Sequence, residues 1–321
     1  MDVREGPDSA VGPRAVHRHL DTGARNPVSA RTVPSGPASR PVVRDRRQTA
    51  EVRDDQAPGQ RPVLHVVEVG DAADAPDVLF LHGLFGQGKN FASAAKALAP
   101  DLRSLLVDLP NHGRSPRTGT VDHGAAADVV ARTVTEHVDG PVHVVGHSLG
   151  GKIAMVLALR HPGLVDRLVV VDIAPVAGGP SPEFEHLLDS LLRLDLGSFS
   201  RRGEAADALA ADVDDRRVRA FLLQNLQPGP DGLRWVADLP LLRRELDAVG
   251  DFPDLDATFD GPVLWMAGAE SDYVRPEHLP VMRALFPRVL QVTVKGAGHW
   301  VHSEQPEAFV SALRTFLLAD R

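Results

Sequence analysis

The sequence predicts an α/β fold: a mostly parallel sheet with helices on both faces and a helical insertion ahead of the last two strands. Three observations carry this expectation. Short β-branched runs alternate with longer Ala- and Leu-rich stretches from about residue 62 onward. Most of those runs are nearly continuous in apolar residues, as strands buried on both faces must be. One stretch, 176–260, breaks the alternation and shows helical spacing throughout.

The first 60 residues precede this pattern. They carry ten Arg, eight Asp or Glu and seven Pro, and none of the fifteen Phe, Trp and Tyr. Such a segment cannot bury enough surface to offset its ordering entropy, so 1–60 are expected to form a disordered N-terminal extension. The segment has no apolar h-region of a secretory signal, Arg46-Arg47 has no apolar run behind it, and its acids speak against an organelle transit peptide. The chain therefore reads as cytoplasmic.

A single domain is expected over 61–321. Its strands are predicted over 63–69, 78–81, 104–107, 142–145, 168–171, 263–266 and 289–294, and helices near 90–99, 123–138, 149–160, 277–286 and 305–319. A short Gly/Asp/Ala/Pro turn joins the first two strands, which predicts that they pair antiparallel. Within 176–260, Leu187, Leu188, Leu191, Leu192 and Leu194, then Val218, Phe221, Leu222 and Leu226, then Leu241, Leu242 and Leu246 recur at helical spacing. Turn clusters at Gly179-Pro180 and Pro228-Gly229-Pro230 separate them, and no strand is expected there. This insertion reads as a helical cap over the carboxyl edge of the sheet, where open α/β sheets bind ligands.

Composition excludes several functions. No run approaches the ~20 apolar residues of a membrane span. The chain of 321 residues has no Cys, which removes disulfides, a thiol nucleophile and thiolate metal sites. A net charge of −8 speaks against a general nucleic-acid binder.

The sharpest motif is Gly146-His147-Ser148-Leu149-Gly150, between a predicted strand and a predicted helix. A Ser on so tight a turn needs small neighbours, because the backbone is strained and Oγ must project outward. A helix N-cap serine is the plainer alternative, but it leaves the flanking glycines unexplained. A hydroxyl at its own pKa is a poor nucleophile and needs a base. Among fourteen His, His299 suits best, in Gly296-Ala297-Gly298-His299-Trp300 after the last strand. His17 and His19 lie in the N-terminal segment, His161 ends a helix, and His302 is close enough to His299 to support it or merely to be exposed.

The imidazole needs an acid to fix its tautomer. Asp172, ending one strand, and Asp272, following another, both preserve the order Ser, Asp, His, and Glu270 is a third candidate. An oxyanion needs donors; the N–H groups of Leu149 and of Leu84, in His82-Gly83-Leu84-Phe85-Gly86, are the candidates. Gly83 to Lys89 also imitates a phosphate loop, but Asn90 lacks the hydroxyl that would hold Mg²⁺. Asp108, Asn111 and His112 read as a turn, and His143 and His147 do not share a helical face, so no metal is expected.

Taken together, these motifs resemble those of the α/β-hydrolase superfamily, and within it the small YbfF-type bacterial esterases and their mitochondrial abhydrolase-domain relatives. The matching residues include Leu81-His82-Gly83-Leu84-Phe85-Gly86, Asp108-Leu109-Pro110-Asn111-His112-Gly113-Arg114-Ser115, Gly146 to Lys152, and Val171-Asp172-Ile173-Ala174-Pro175. Phe221 to Leu226, Arg234-Trp235, Asp238-Leu239-Pro240 and Gly298 to His302 complete them. The resemblance implies an α/β-hydrolase sheet and a Ser-His-Asp enzyme that cleaves carboxylic ester or thioester bonds through an acyl-enzyme, without a cofactor. It also bears on the acid. Many relatives place it in a G-x-x-D turn, where this chain has Ser271, with Asp272 one residue late. The esterases it resembles carry the acid in the V-D-I-[SA]-P turn, which selects Asp172 and leaves Asp272 in reserve. Phe221, Leu222 and Trp235 are candidate pocket walls. The alternatives are a carbon–carbon bond hydrolase, a haloperoxidase without cofactor, a menaquinone-pathway-type lyase, whose elbow carries Arg where this chain has Lys152, and a non-catalytic binding protein on the same fold. The expected partner is a small-molecule ester or thioester, not nucleic acid.

Overall fold

The computed structural model describes residues 43–44, 63–71, 75–179 and 181–319. The expectation for 1–60 therefore lies outside the described residues, apart from Val43–Arg44. The strands are β1 (Val43–Arg44), β2 (Val66–Val69), β3 (Asp77–Leu81), β4 (Arg103–Val107), β5 (Val142–His147), β6 (Val165–Val171), β7 (Leu226–Gly229), β8 (Gly232–Trp235), β9 (Val263–Gly268) and β10 (Val289–Val294). The helices are α1 (Ala92–Leu98), α2 (His123–Thr135), α3 (Leu149–Arg160), α4 (Pro182–Leu192), α5 (Arg202–Leu209), α6 (Arg216–Leu222), α7 (Leu239–Arg244), α8 (Leu246–Gly250), α9 (Leu279–Leu285), α10 (Val301–Glu304) and α11 (Pro306–Leu317).

Eight strands form one sheet in the order β1-β2-β4-β3-β5-β6-β9-β10. All neighbours from β4 to β10 run parallel; β1 and β2 are antiparallel to their partners. This is the α/β-hydrolase sheet that the sequence predicts, with one correction. The first two long strands do not pair with each other, because β4 lies between them. The strand β3 is apolar on both faces and takes a parallel neighbour on each edge, β4 and β5.

Successive residues of each central strand point to opposite faces. Leu79, Leu81, Leu168, Val170 and Trp265 enter one core, which α2, α3, α9 and the insertion cover. Val78, Phe80, Val169, Val171 and Met266 enter the other, which α1 and α11 close. The strand β10 lies at the edge and leaves Leu290 62% exposed.

Between β6 and β9 the chain makes helices α4 to α8, as the spacing of its leucines predicts. It also makes the hairpin β7–β8, which the sequence reading missed. Pro228-Gly229-Pro230, read as a break between helices, instead leads into a two-residue turn, with Gly229 opposite Gly232.

Candidate active site

The carboxyl ends of β3, β5, β6 and β9 and the loop after β10 converge on one cavity of about 790 Å³. Ser148 sits between β5 and α3 at φ 52°. That strained conformation lifts its Oγ out of the backbone path, and the helix starts on the next residue. The turn closes only because Gly150 has no side chain: a Cβ there would stand 2.2 Å from the carbonyl oxygen of Leu81.

His299 stands opposite. Its Nδ1–H donates to Asp172 Oδ2 at 2.8 Å, which leaves the lone pair of Nε2 to accept from the Ser148 hydroxyl at 3.0 Å. Asp172 directly follows β6, is fully buried and also has positive φ, 51°. A buried carboxylate must be satisfied by donors. Gly268 N–H donates to Oδ1 at 2.9 Å and the Ser271 hydroxyl to Oδ2 at 2.5 Å. Ser271, whose place in the Gly268 turn the sequence reading weighed for an acid, thus donates to Asp172 beyond the neighbouring strand β6. Asp272 lines the cavity but is exposed, and Glu270 lies at the same rim.

Leu84 and Leu149 line the cavity beside Ser148. Leu149 is the first residue of α3, so its N–H has no acceptor within the helix. The loop bearing Leu84 is held from both ends. Leu109 N–H donates to His82 Nε2 at 2.9 Å, and His82 Nδ1–H donates to Gly83 O at 2.8 Å. Burial pulls His82 down to about 4, consistent with a neutral ring in this role. From the insertion, the fully buried Asn225 donates through Nδ2 to Phe85 O at 2.7 Å and accepts from Gln87 Nε2 at 3.1 Å. Asn90, the residue that spoiled the phosphate-loop reading, donates to Gln224 Oε1. Asp108 accepts from the N–H groups of Gly88 and Arg114, and His112 Nδ1–H donates to Pro110 O. That loop is a turn built on its own side chains.

His147, the variable residue before Ser148, donates from Nε2 to the carbonyl of His299 at 2.8 Å. Its burial, and the neighbouring His302 and His299, push its pKa well below the usual histidine value. Lys152, one turn beyond Ser148 on α3, is buried, which draws it down to about 8. Its ammonium donates to the carbonyls of Val176, Gly250 and Asp251, at the entry to and exit from the insertion.

The match to a known family comes at this point: residues 76–306 fit the model of the alpha/beta hydrolase fold. The chain belongs to the α/β-hydrolase family. Among its relatives is a mouse protein described as the sn-1-specific diacylglycerol lipase ABHD11, 38% identical over 80% of this chain and 85% of that one. The Escherichia coli esterase YbfF is 30% identical over 75% of this chain and 92% of its own length. The solved structure of a marine microorganism esterase matches with a TM-score of 0.76 at 30% identity, over 80% of this chain and 100% of that one.

The cavity of this α/β-hydrolase differs from the expectation on its cap side. Leu222 is buried in the core, and Phe221 and Trp235 pack against that core rather than lining the cavity. The insertion contributes Phe184, Leu246 and Val249 instead. Phe184 carried no signal and Leu246 only that of a helix stripe, because the path of the insertion decides which apolar residues face the cavity. Asn225 lay within the motif Phe221 to Leu226, yet its role in holding the loop at Phe85 depends on a contact 140 residues apart.

Proposed function

We propose that the chain hydrolyses carboxylic esters or thioesters through an acyl-enzyme. The continuous hydrogen-bonded path from Ser148 Oγ through His299 to Asp172 carries the reading, at 3.0 and 2.8 Å. Ser148 Oγ attacks the acyl carbon while His299 Nε2 takes its proton. Asp172 keeps the proton of Nδ1 in place and stabilises the imidazolium. The N–H groups of Leu84 and Leu149 hold the oxyanion, each such donor being worth about 3 kcal/mol. The imidazolium then returns its proton to the departing alcohol or thiol. Water enters, gives a proton to His299 and attacks the acyl carbon; Ser148 recovers its proton as the carboxylic acid leaves. Phe184, Leu246 and Val249 give the acyl chain an apolar wall. The relatives described as a lipase and esterases support this chemistry.

The test is a panel of p-nitrophenyl esters and acyl thioesters with purified wild type, Ser148→Ala, Asp172→Asn and Asp272→Asn. Ser148→Ala should abolish turnover and labelling by a fluorophosphonate probe. Asp172→Asn should lower kcat by about ten-thousand-fold, as tautomer loss does in comparable triads. Asp272→Asn should stay within about threefold of wild type, since an exposed carboxylate without contact to the imidazole contributes little. Turnover that survives Ser148→Ala would defeat the proposal, and a larger loss at Asp272 would reassign the acid.

A further inference from the structure

Tyr273, the only tyrosine in the chain, lies with its ring on that of His299. The ring centroids are 4.1 Å apart and the planes are 30° from parallel. Among its other ring neighbours, His147 is tilted at 4.8 Å and 45°, and Phe184 and Trp300 meet it more steeply, at 6.1 Å and 62° and at 5.9 Å and 62°. Tyr273 is itself fixed on two sides. Its N–H donates to Ser271 Oγ at 3.3 Å, and Ser271 in turn donates to Asp172. Its hydroxyl hydrogen-bonds with Ser181, the residue that precedes α4.

We propose that Tyr273 is a positioning residue for the imidazole: its ring face holds His299 in line between Asp172 and Ser148 and favours the imidazolium that forms when Ser148 gives up its proton. The inference rests on the hydrolase reading and adds to it a residue outside the triad. The negative face of an aromatic ring attracts a cation lying over it. A flat stack also blocks rotation about the Cβ–Cγ bond, which would break both imidazole hydrogen bonds at once.

Other titratable groups surround His299 from the elements packed against it. Asp172 meets Nδ1 from β6. His147 at the end of β5 and His302 on α10 lie nearby; burial holds His302 near 4 and pushes His147 well below its usual value, which favours the neutral ring in both. Glu183 on α4 acts on the Tyr273 phenol, and Glu304 on α10 accepts the Gly298 N–H.

The experiment is the pH dependence of kcat and kcat/KM on p-nitrophenyl butyrate for wild type, Tyr273→Phe and Tyr273→Leu. Tyr273→Phe keeps the ring and should hold kcat within about threefold and the kinetic pKa of the base within about 0.2 units. Tyr273→Leu should lower kcat about tenfold, change KM less than about twofold, and move the kinetic pKa down by about half a unit or more. A leucine variant with wild-type kcat, or one that loses kcat without the pKa shift, would overturn the inference. So would a phenylalanine variant as impaired as the leucine one.

A second measurement serves if the leucine variant does not fold. In wild type with isotope-labelled tyrosine, the ring signals come from Tyr273 alone. They should move in a step with pH, and lose that step in His299→Gln. Ring signals that ignore the imidazole would overturn the inference. This readout needs no turnover, so it fails or succeeds independently of the hydrolase reading.

Discussion

Asp172 gathers three donors around one buried carboxylate, and Ser271 is the one that a single substitution removes most cleanly. A hydrogen bond to a charged group contributes about 1.5–3 kcal/mol. Ser271→Ala should therefore lower kcat/KM for a p-nitrophenyl ester by about tenfold or more while leaving fluorophosphonate labelling in place. An unchanged kcat/KM would mean that Gly268 and His299 satisfy Asp172 alone. At this scale the sequence was informative where chemistry imposes local form. Ser148 needs a glycine-flanked turn and His299 a small-residue loop, and both constraints are written in neighbouring residues. The choice between Asp172 and Asp272 was open to residue reasoning, because spacing does not encode the direction a turn aims a side chain. Ser271 stood out only as a departure from the G-x-x-D turn and Asn225 only as part of a motif; with Tyr273, each acts through contacts to residues distant in sequence, which local pattern does not encode.

The insertion is joined to the sheet by two stems, and Lys152 on α3 ties them together through the carbonyls of Val176, Gly250 and Asp251. The stems also meet directly, Gly178 N–H donating to Gly250 O at 2.9 Å. A Cβ on Gly250 would stand 2.4 Å from Gly178 O, so the stems approach as closely as backbones can. Lys152→Met takes the donor from the Val176 and Asp251 carbonyls, while Gly250 O keeps the Gly178 N–H, at about 1–3 kcal/mol for an acceptor left buried. Both Lys152→Met and Gly250→Ala should lower Tm and raise KM more than they lower kcat. Calorimetry with steady-state kinetics checks this, and a loss confined to kcat would place the effect at Ser148 instead. The leucine periodicity of α4 and α7 was legible because a helix buries one stripe. The β7–β8 hairpin and the partner of β2 were not, since strand pairing depends on what lies beside a strand in space.

Across the whole molecule, buried neutral histidines set the response to acid. Burial lowers His82, His123 and His302 to about 4 and His112 to about 3. The unfolded chain binds these protons first, near pH 6.5, so stability is complete above that value. It is lost progressively as pH falls through the folded-state values. At about 1.4 kcal/mol per unit, the shifts of His82, His112 and His123 together are on the order of 10 kcal/mol. That is comparable to the whole stability of an ordinary domain, about 5–15 kcal/mol. Tm should fall steeply between pH 6.5 and 4 in a thermal scan followed by circular dichroism; a flat profile would show that these rings are hydrated. Among the described residues no helix is long and apolar enough to cross a membrane. The layered α/β order was readable from apolar runs alone, because each central strand must be greasy on both sides. Asp172 stands only four residues before Val176, where the chain leaves the sheet for the insertion. Anyone grafting a different lid onto this scaffold to retune its selectivity should therefore cut after Pro175: a splice before Asp172 would carry away the carboxylate along with the roof, and one directly after it would remove Ala174 from the cavity wall.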